Sequence, residues 1–215
     1  MGEGRIDRLV AASIHQAIAD CLPLQLEFYE TWLKPFNWRK SELSVASISA
    51  VLSFLRREGD AYGDVVKTAG RYAAQWTYDD LPWSTRIVAQ RLVPRAFRVR
   101  RLLHLASQLL GTTSREGRLT VRTSGPAPVV ELAGSVFCEV RSPSDVPLCA
   151  YYADAIEHLF RLDRFHCSVS IVTCRAMGAA CCTFTITVGD RMTSDVPRQQ
   201  PAEHGRLIQA GENAS

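Results

Sequence analysis

A chain of 215 residues, 47% hydrophobic and 22% charged, has the size and composition of one globular domain or two very small ones. Its formal charge of +3 is too small to point to nucleic acid. Collagen-like and fully disordered chains are excluded by composition, and no apolar run reaches the roughly 18 residues of a membrane span.

The N-terminus MGEGRIDRLV has neither the apolar core nor the small-residue cleavage site of a secretory signal. Ile6 stands where the myristoylation pattern needs Ser or Thr. A cytoplasmic chain without a transmembrane segment is therefore expected. Seven cysteines in a reducing compartment read as metal ligands or inert buried thiols before they read as disulfides.

In chain order, Ile6, Leu9, Val10, Ile14 and Ile18 give residues 1–20 a helical period. Pro23 and Pro35 bracket much of an aromatic segment, Phe28 to Trp38, that reads as a broken helix. Helical spacing returns over 44–57, through Val45, Ile48, Leu52 and Leu55, and over 61–78, through Tyr62 to Trp76. Residues 84–110 form the longest helical stretch, with a kink expected at Pro94. RLTVRT (118–123) alternates as a strand, and 129–140 reads as a second strand or hairpin arm. A helix over 148–162 and strands over 166–173 and 182–188 follow, with Cys182, Phe184, Ile186 and Val188 on one strand face. The polar residues 190–215 read as a disordered tail. The fold class expected is α+β: an N-terminal helical layer packed on an antiparallel sheet with a ββαββ C-terminal unit. Residues 1–60 form a helical region and 61–189 the α+β domain in this division.

The ββαββ layout brings four separated residues within reach of one another. Glu139 lies near the end of one strand, Cys149 opens the following helix, and Cys174 and Cys182 flank a hairpin mouth. Three thiolates and a carboxylate suit zinc. No CxxC pair is present, so on spacing alone these cysteines read as small buried hydrophobes before metal ligands.

LAGSVFCEV (132–140), VPLCAYYADAIEHLF (146–160) and above all CRAMGAACCTFTI (174–186) resemble the 4-vinyl reductase domain family. These domains occur in a bacteriochlorophyll-biosynthesis protein and in sensor halves of aromatic-responsive activators, and are distantly similar in fold to small TRAPP vesicle-tethering subunits. The resemblance implies structural zinc on Cys149, Cys174, Cys182 and Glu139, with Cys181 a register alternative. In a regular strand Cys138 points away from Glu139. Asp154 and His158 stand where the family often has Gly, which would narrow a pocket beneath the helix. The resemblance also implies an apolar cavity between helices and sheet for a hydrocarbon, aromatic or tetrapyrrole ligand. Trp76, Phe137, Tyr152, Ile156 and Phe160 are the expected lining, with Tyr72, Val88, Leu92 and Phe184 beside them.

No GxGxxG after a strand, GxxxxGK[ST], GxSxG or HExxH is present. A ligand-binding accessory protein is therefore expected before a tetrapyrrole vinyl reductase drawing on an external reductant, or a helix-mediated adaptor. Arg91, Arg95, Arg98 and Arg101, with His104, form a stripe along the long helix. Arg95 and Arg98 are thus candidates for an anionic group on the ligand or an acidic protein partner, and pairing of two copies as a homodimer is a further expectation.

Overall fold

The computed structural model describes residues 5–33, 42–84, 86, 93–111, 113, 119–123 and 127–191. Two short strands, β1 (Arg5–Asp7) and β2 (Glu42–Ser44), pair antiparallel at the N-terminal end. Between them run α1 (Arg8–Cys21) and α2 (Leu26–Leu33), separated by a 3-10 turn that starts at Pro23. α1 buries Val10, Ile14, Ala17 and Ile18, the stripe that the helical period marks out. α3 (Val45–Leu55) begins at Ser44, whose hydroxyl accepts from the Ser47 N–H at 3.2 Å and so satisfies one free donor of the first turn.

α4 (Asp60–Asp79) is the central helix, flanked by α1 on one side and by α6 (Ala150–Leu162) on the other. The α4–α6 approach is close because α4 presents small residues, Ala69, Gly70, Ala73 and Ala74, all buried. A Cβ at residue 70 would overlap the Tyr151 carbonyl oxygen and stand 3.2 Å from the Ala155 nitrogen. α5 (Arg95–Gly111) starts immediately after Pro94, whose carbonyl accepts from the N–H groups of Phe97 and Arg98. Pro94 therefore opens a described helix; residues 85 and 87–92, where the expected helix would continue backward, lie outside the described residues.

The second half carries a four-stranded antiparallel sheet in the order β3 (Leu119–Arg122), β4 (Val129–Leu132), β6 (Cys182–Arg191), β5 (Phe165–Thr173). Register pairs Val130 with Phe184, and Val169 with Ile186. The period-two alternation turns Cys182, Phe184 and Ile186 inward beneath α6, and leaves Thr183, Thr185 and Thr187 on the opposite face. One apolar core runs from Val10 to Ile186 across both halves of the chain. The class is α+β, with helices preceding a ββαββ unit.

Three expected boundaries differ: the helix read from the start of the chain begins only at Arg8, residues Arg5–Asp7 forming β1 instead. The strand read over 129–140 ends at Leu132: Gly134 takes a φ of 71° and residues Val136–Cys138 form a 3-10 turn. β6 runs on through Arg191, past the expected start of the tail, and residues 192–215 lie outside the described residues. Among the described residues, no single helix is long and apolar enough to cross a membrane.

Candidate metal centre and binding groove

Four cysteine sulfurs from four different elements converge at one end of the sheet. Cys138 ends the 3-10 turn after β4, Cys149 precedes the first residue of α6, Cys174 follows β5, and Cys182 opens β6. Their Sγ atoms all lie within 4.8 Å of one another, and each residue is at most 2% exposed. Cys138 is the hub, 3.5 Å from the Cys174 sulfur and 3.4 Å from that of Cys182. No disulfide joins them, since a disulfide requires sulfurs at about 2.05 Å. A tetrahedral ion with ~2.3 Å metal–sulfur bonds has sulfurs about 3.8 Å apart. The cluster therefore fits a single ion with a tetrathiolate shell, and the donors match the thiol chemistry zinc prefers.

Glu139, the expected carboxylate ligand, lies outside this group. Its Oε2 accepts from the Ser49 hydroxyl at 3.3 Å, on the α3 side. The cause is the turn: in a straight strand only one of residues 138 and 139 faces the core, but the 3-10 turn swings Cys138 inward and fully buries it. The Gly134-Ser135 pair was the available sequence signal for that break. Cys181, the register alternative, is half-buried with its sulfur 3.8 Å from the Thr183 hydroxyl, outside the four-sulfur group.

The surroundings favour thiolate at two of the four sulfurs, Cys174 and Cys182. The Arg175 N–H points at the Cys182 sulfur at 3.5 Å. Hydrogen bonding with Cys138 and Cys149 pushes the Cys182 thiol down against the opposing effect of burial, and the Arg175 N–H adds to the shift. Donation from Cys138 likewise pushes Cys174 down, aided by the backbone N–H groups of Leu148 and Ala176. Cys138 is pushed up by its hydrogen bonding with Cys149, Cys174 and Cys182, and Cys149 is pushed up as well, the lowering effect of Cys138 being outweighed by Cys182 and by burial. Gly178, at φ 93°, closes the turn between Cys174 and Cys182, and the N–H groups of Met177 and Ala179 both bond the Cys174 carbonyl. On the other flank Arg56 donates to the carbonyls of Phe137 at 2.9 Å and Glu139 at 3.1 Å, gripping the chain on both sides of Cys138. Tyr62 donates to the Leu148 carbonyl at 3.2 Å and holds the approach to Cys149.

The expected apolar lining is distributed differently. Phe137, Tyr152, Ile156 and Phe160 are fully buried and fill space rather than bound it. Phe137 stacks on Tyr151 at 4.4 Å and meets Tyr152 edge-on at 5.5 Å. The Tyr152 hydroxyl lies 2.9 Å from that of Thr113 and 2.8 Å from that of Ser135, all three buried. Trp76 is half-buried and stacks on Tyr72 at 5.5 Å. Asp154 and His158 face α4: Arg71 Nε is 3.8 Å from Asp154, and His158 meets Gln75 at 3.3 Å and borders a small cavity of about 290 Å³ with Thr68, Arg71, Tyr72 and Gln75. Val88, Leu92 and Arg91 lie outside the described residues.

The arginine stripe divides. Arg98 is buried, its guanidinium 2.9 Å from the Asp163 carboxylate and 4.5 Å over the Phe165 ring, so it is a core ion pair rather than a surface charge. Tyr78 donates to the same carboxylate at 3.0 Å. Arg95 reaches across to the carbonyls of Val188 and Gly189. It also borders a groove of about 990 Å³ between α5 and the sheet. Ala96, Val99, Arg100, Leu103 and His104 form the helix wall, and Val121, Pro128, Ile186 and Val188 lie opposite.

No protein-family model and no curated protein sequence matches the chain. Solved structures with a similar course include an H-NOX protein from S. oneidensis in the Fe(II)NO ligation state, with 13% identity over 86% of this chain and 100% of that one, at a TM-score of 0.46. A mutant of an S. oneidensis H-NOX protein in the Fe(II) state gives 12% identity, 86% and 97% coverage and a TM-score of 0.45. A trafficking protein particle complex subunit 3 from Naegleria fowleri, covalently bound to palmitic acid, gives 8% identity, 82% and 96% coverage and a TM-score of 0.39.

Proposed function

We propose that the chain is a small-molecule-binding domain whose helix–sheet junction is clamped by one structural zinc ion on Cys138, Cys149, Cys174 and Cys182. The observation that carries the reading is the convergence of four buried sulfurs within 4.8 Å, drawn from three loops and a strand end with no CxxC pair among them. Four thiolates close the coordination shell and leave no position for water or substrate, so the ion's role is to hold the fold. What the protein contributes is orientation: Arg56 fixes the Cys138 segment, Tyr62 fixes the Cys149 approach, and the Arg175 N–H is aimed at Cys182.

The ligand enters the groove between α5 and the sheet. Its walls are mainly aliphatic, and such concave, mostly apolar sites with a few polar groups are where small molecules bind. The resemblance of residues 132–140, 146–160 and 174–186 to 4-vinyl reductase domains supports the same division of labour. In the finer form of the reading the ligand is a tetrapyrrole of bacteriochlorophyll biosynthesis, delivered to or sensed by a partner.

Native mass spectrometry with elemental analysis tests this. One zinc per chain with an added organic mass is the expected result, and that mass decides between a tetrapyrrole and another ligand. A folded chain that binds no zinc on titration overturns the clamp.

A further inference from the structure

From the charge on the groove wall we infer that the ligand is an elongated amphipathic monoanion, its apolar body lying along α5 and its carboxylate held at Arg100 and His104. This rests on the groove between α5 and the sheet being the binding site. The helix wall runs from Arg95 to Ser107, twelve steps along the helix, which at 1.5 Å each is about 18 Å. That length suits a chain or fused-ring body rather than a single small ring. Ala96, Val99 and Leu103 give the helix side an apolar strip, and Val121, Pro128 and Val188 supply the matching strip opposite, over the buried Ile186.

The polar groups are distributed one-sidedly. Arg100 and His104 are four residues apart, one turn of the same helix, and both are exposed at the groove. Among the described lining residues there is no carboxylate. Arg95 is engaged with the carbonyls of Val188 and Gly189, so it pins α5 to the end of β6. Arg98 points inward to Asp163. One permanent charge and one imidazole therefore remain to meet a head group, which matches a single carboxylate rather than a polyanion. A planar guanidinium accepts a carboxylate through two parallel N–H bonds.

The test uses the full zinc-loaded chain and three ten-carbon probes in calorimetric titrations: decanoate, decan-1-ol and decyltrimethylammonium. Decanoate is expected to bind one per chain, at least about tenfold tighter than the alcohol, the size of one charge-assisted hydrogen bond. The cation is expected not to bind. The double variant Arg100→Gln/His104→Gln should bring decanoate down to the affinity of the alcohol and leave the alcohol unchanged. Ala96→Trp, which plugs the groove from an exposed position, should abolish both. Equal affinity for decanoate and alcohol, or no effect of the double variant, overturns the anion assignment while leaving the groove as the site. Binding that survives Ala96→Trp, or no binding of any probe, overturns the assignment together with the groove. Zinc content measured on each variant separates either failure from loss of the clamp.

Discussion

The sulfur of Cys138 stands 3.4 Å from that of Cys182, although 44 residues separate them in the chain. Between the two positions lie the whole of α6 and β5. One contact therefore closes the ββαββ unit on itself, and the arginine that holds the Cys138 segment comes from the end of α3, far upstream.

Ligand identity follows directly. Cys138→Ser should remove the zinc and cost stability on the order of several kcal/mol, because metal affinity in such sites is folding free energy. Glu139→Gln should keep the metal, losing only the hydrogen bond from Ser49. Elemental analysis and thermal unfolding of the two purified variants check this. Metal loss in Glu139→Gln with retention in Cys138→Ser would reinstate the carboxylate and remove the tetrathiolate.

Gly70 is the point of nearest approach between α4 and α6. Gly70→Ala gains helix propensity but forces the Tyr151 carbonyl away, and the carbonyl is backbone that cannot swing aside. Overpacking of this kind costs ~2 kcal/mol, which for a chain of this size lowers the unfolding midpoint by roughly 5 °C. A midpoint equal to or above that of the parent would show that the helices separate freely.

Arg98 and Asp163 form a buried ion pair in which each partner is 5–6% exposed at the side chain. Arg98→Met alone strands the carboxylate and should cost about 3–5 kcal/mol. The double variant Arg98→Met/Asp163→Leu should lose clearly less than the sum of the two single changes. Urea unfolding of the four proteins forms the cycle, and strict additivity would mean that the pair is not energetically coupled.

His158 gives the pH dependence. Burial, then the charges of Arg161 and Arg71, hold its imidazole below the ordinary value. The unfolded chain therefore takes up this proton before the folded protein does. Stability present at neutral pH falls as the pH drops through about 6.5 toward the lowered folded value, then levels off. His158→Gln should flatten that limb in urea unfolding between about pH 5 and 7. An unchanged slope would assign it to other groups.

The helices and inner strands were legible because their apolar residues repeat at the periods that burial demands. Val65, Val66, Ala69 and Ala73 mark α4, and Phe184 and Ile186 mark the inner face of β6. Cys149, Cys174 and Cys182 were placed by the same layout. Cys138 was missed because a two-residue period was carried through Gly134, where the chain turns instead. Arg98 was read as a surface charge because α5 has an amphipathic pattern. Its partner, Asp163, lies 65 residues away, just beyond α6, and no local period reports a contact of that range. The filling aromatics Phe137 and Tyr152 show the same limit: periodicity marks a residue as inward, while only packing decides whether inward means solid core or cavity wall.

Cys181 adjoins Cys182 in the sequence, half-buried at the edge of the centre. Metals bind unfolded cysteines as well as native ones, so an ion taken up by the proposed clamp before the sheet forms would find two neighbouring thiolates on the same segment. Ligation by Cys181 in place of Cys182 would require a shift of the strand by one position, which would send Phe184 and Ile186 outward from the register they hold. The sulfurs by themselves do not tell the two arrangements apart; the apolar face of the strand does.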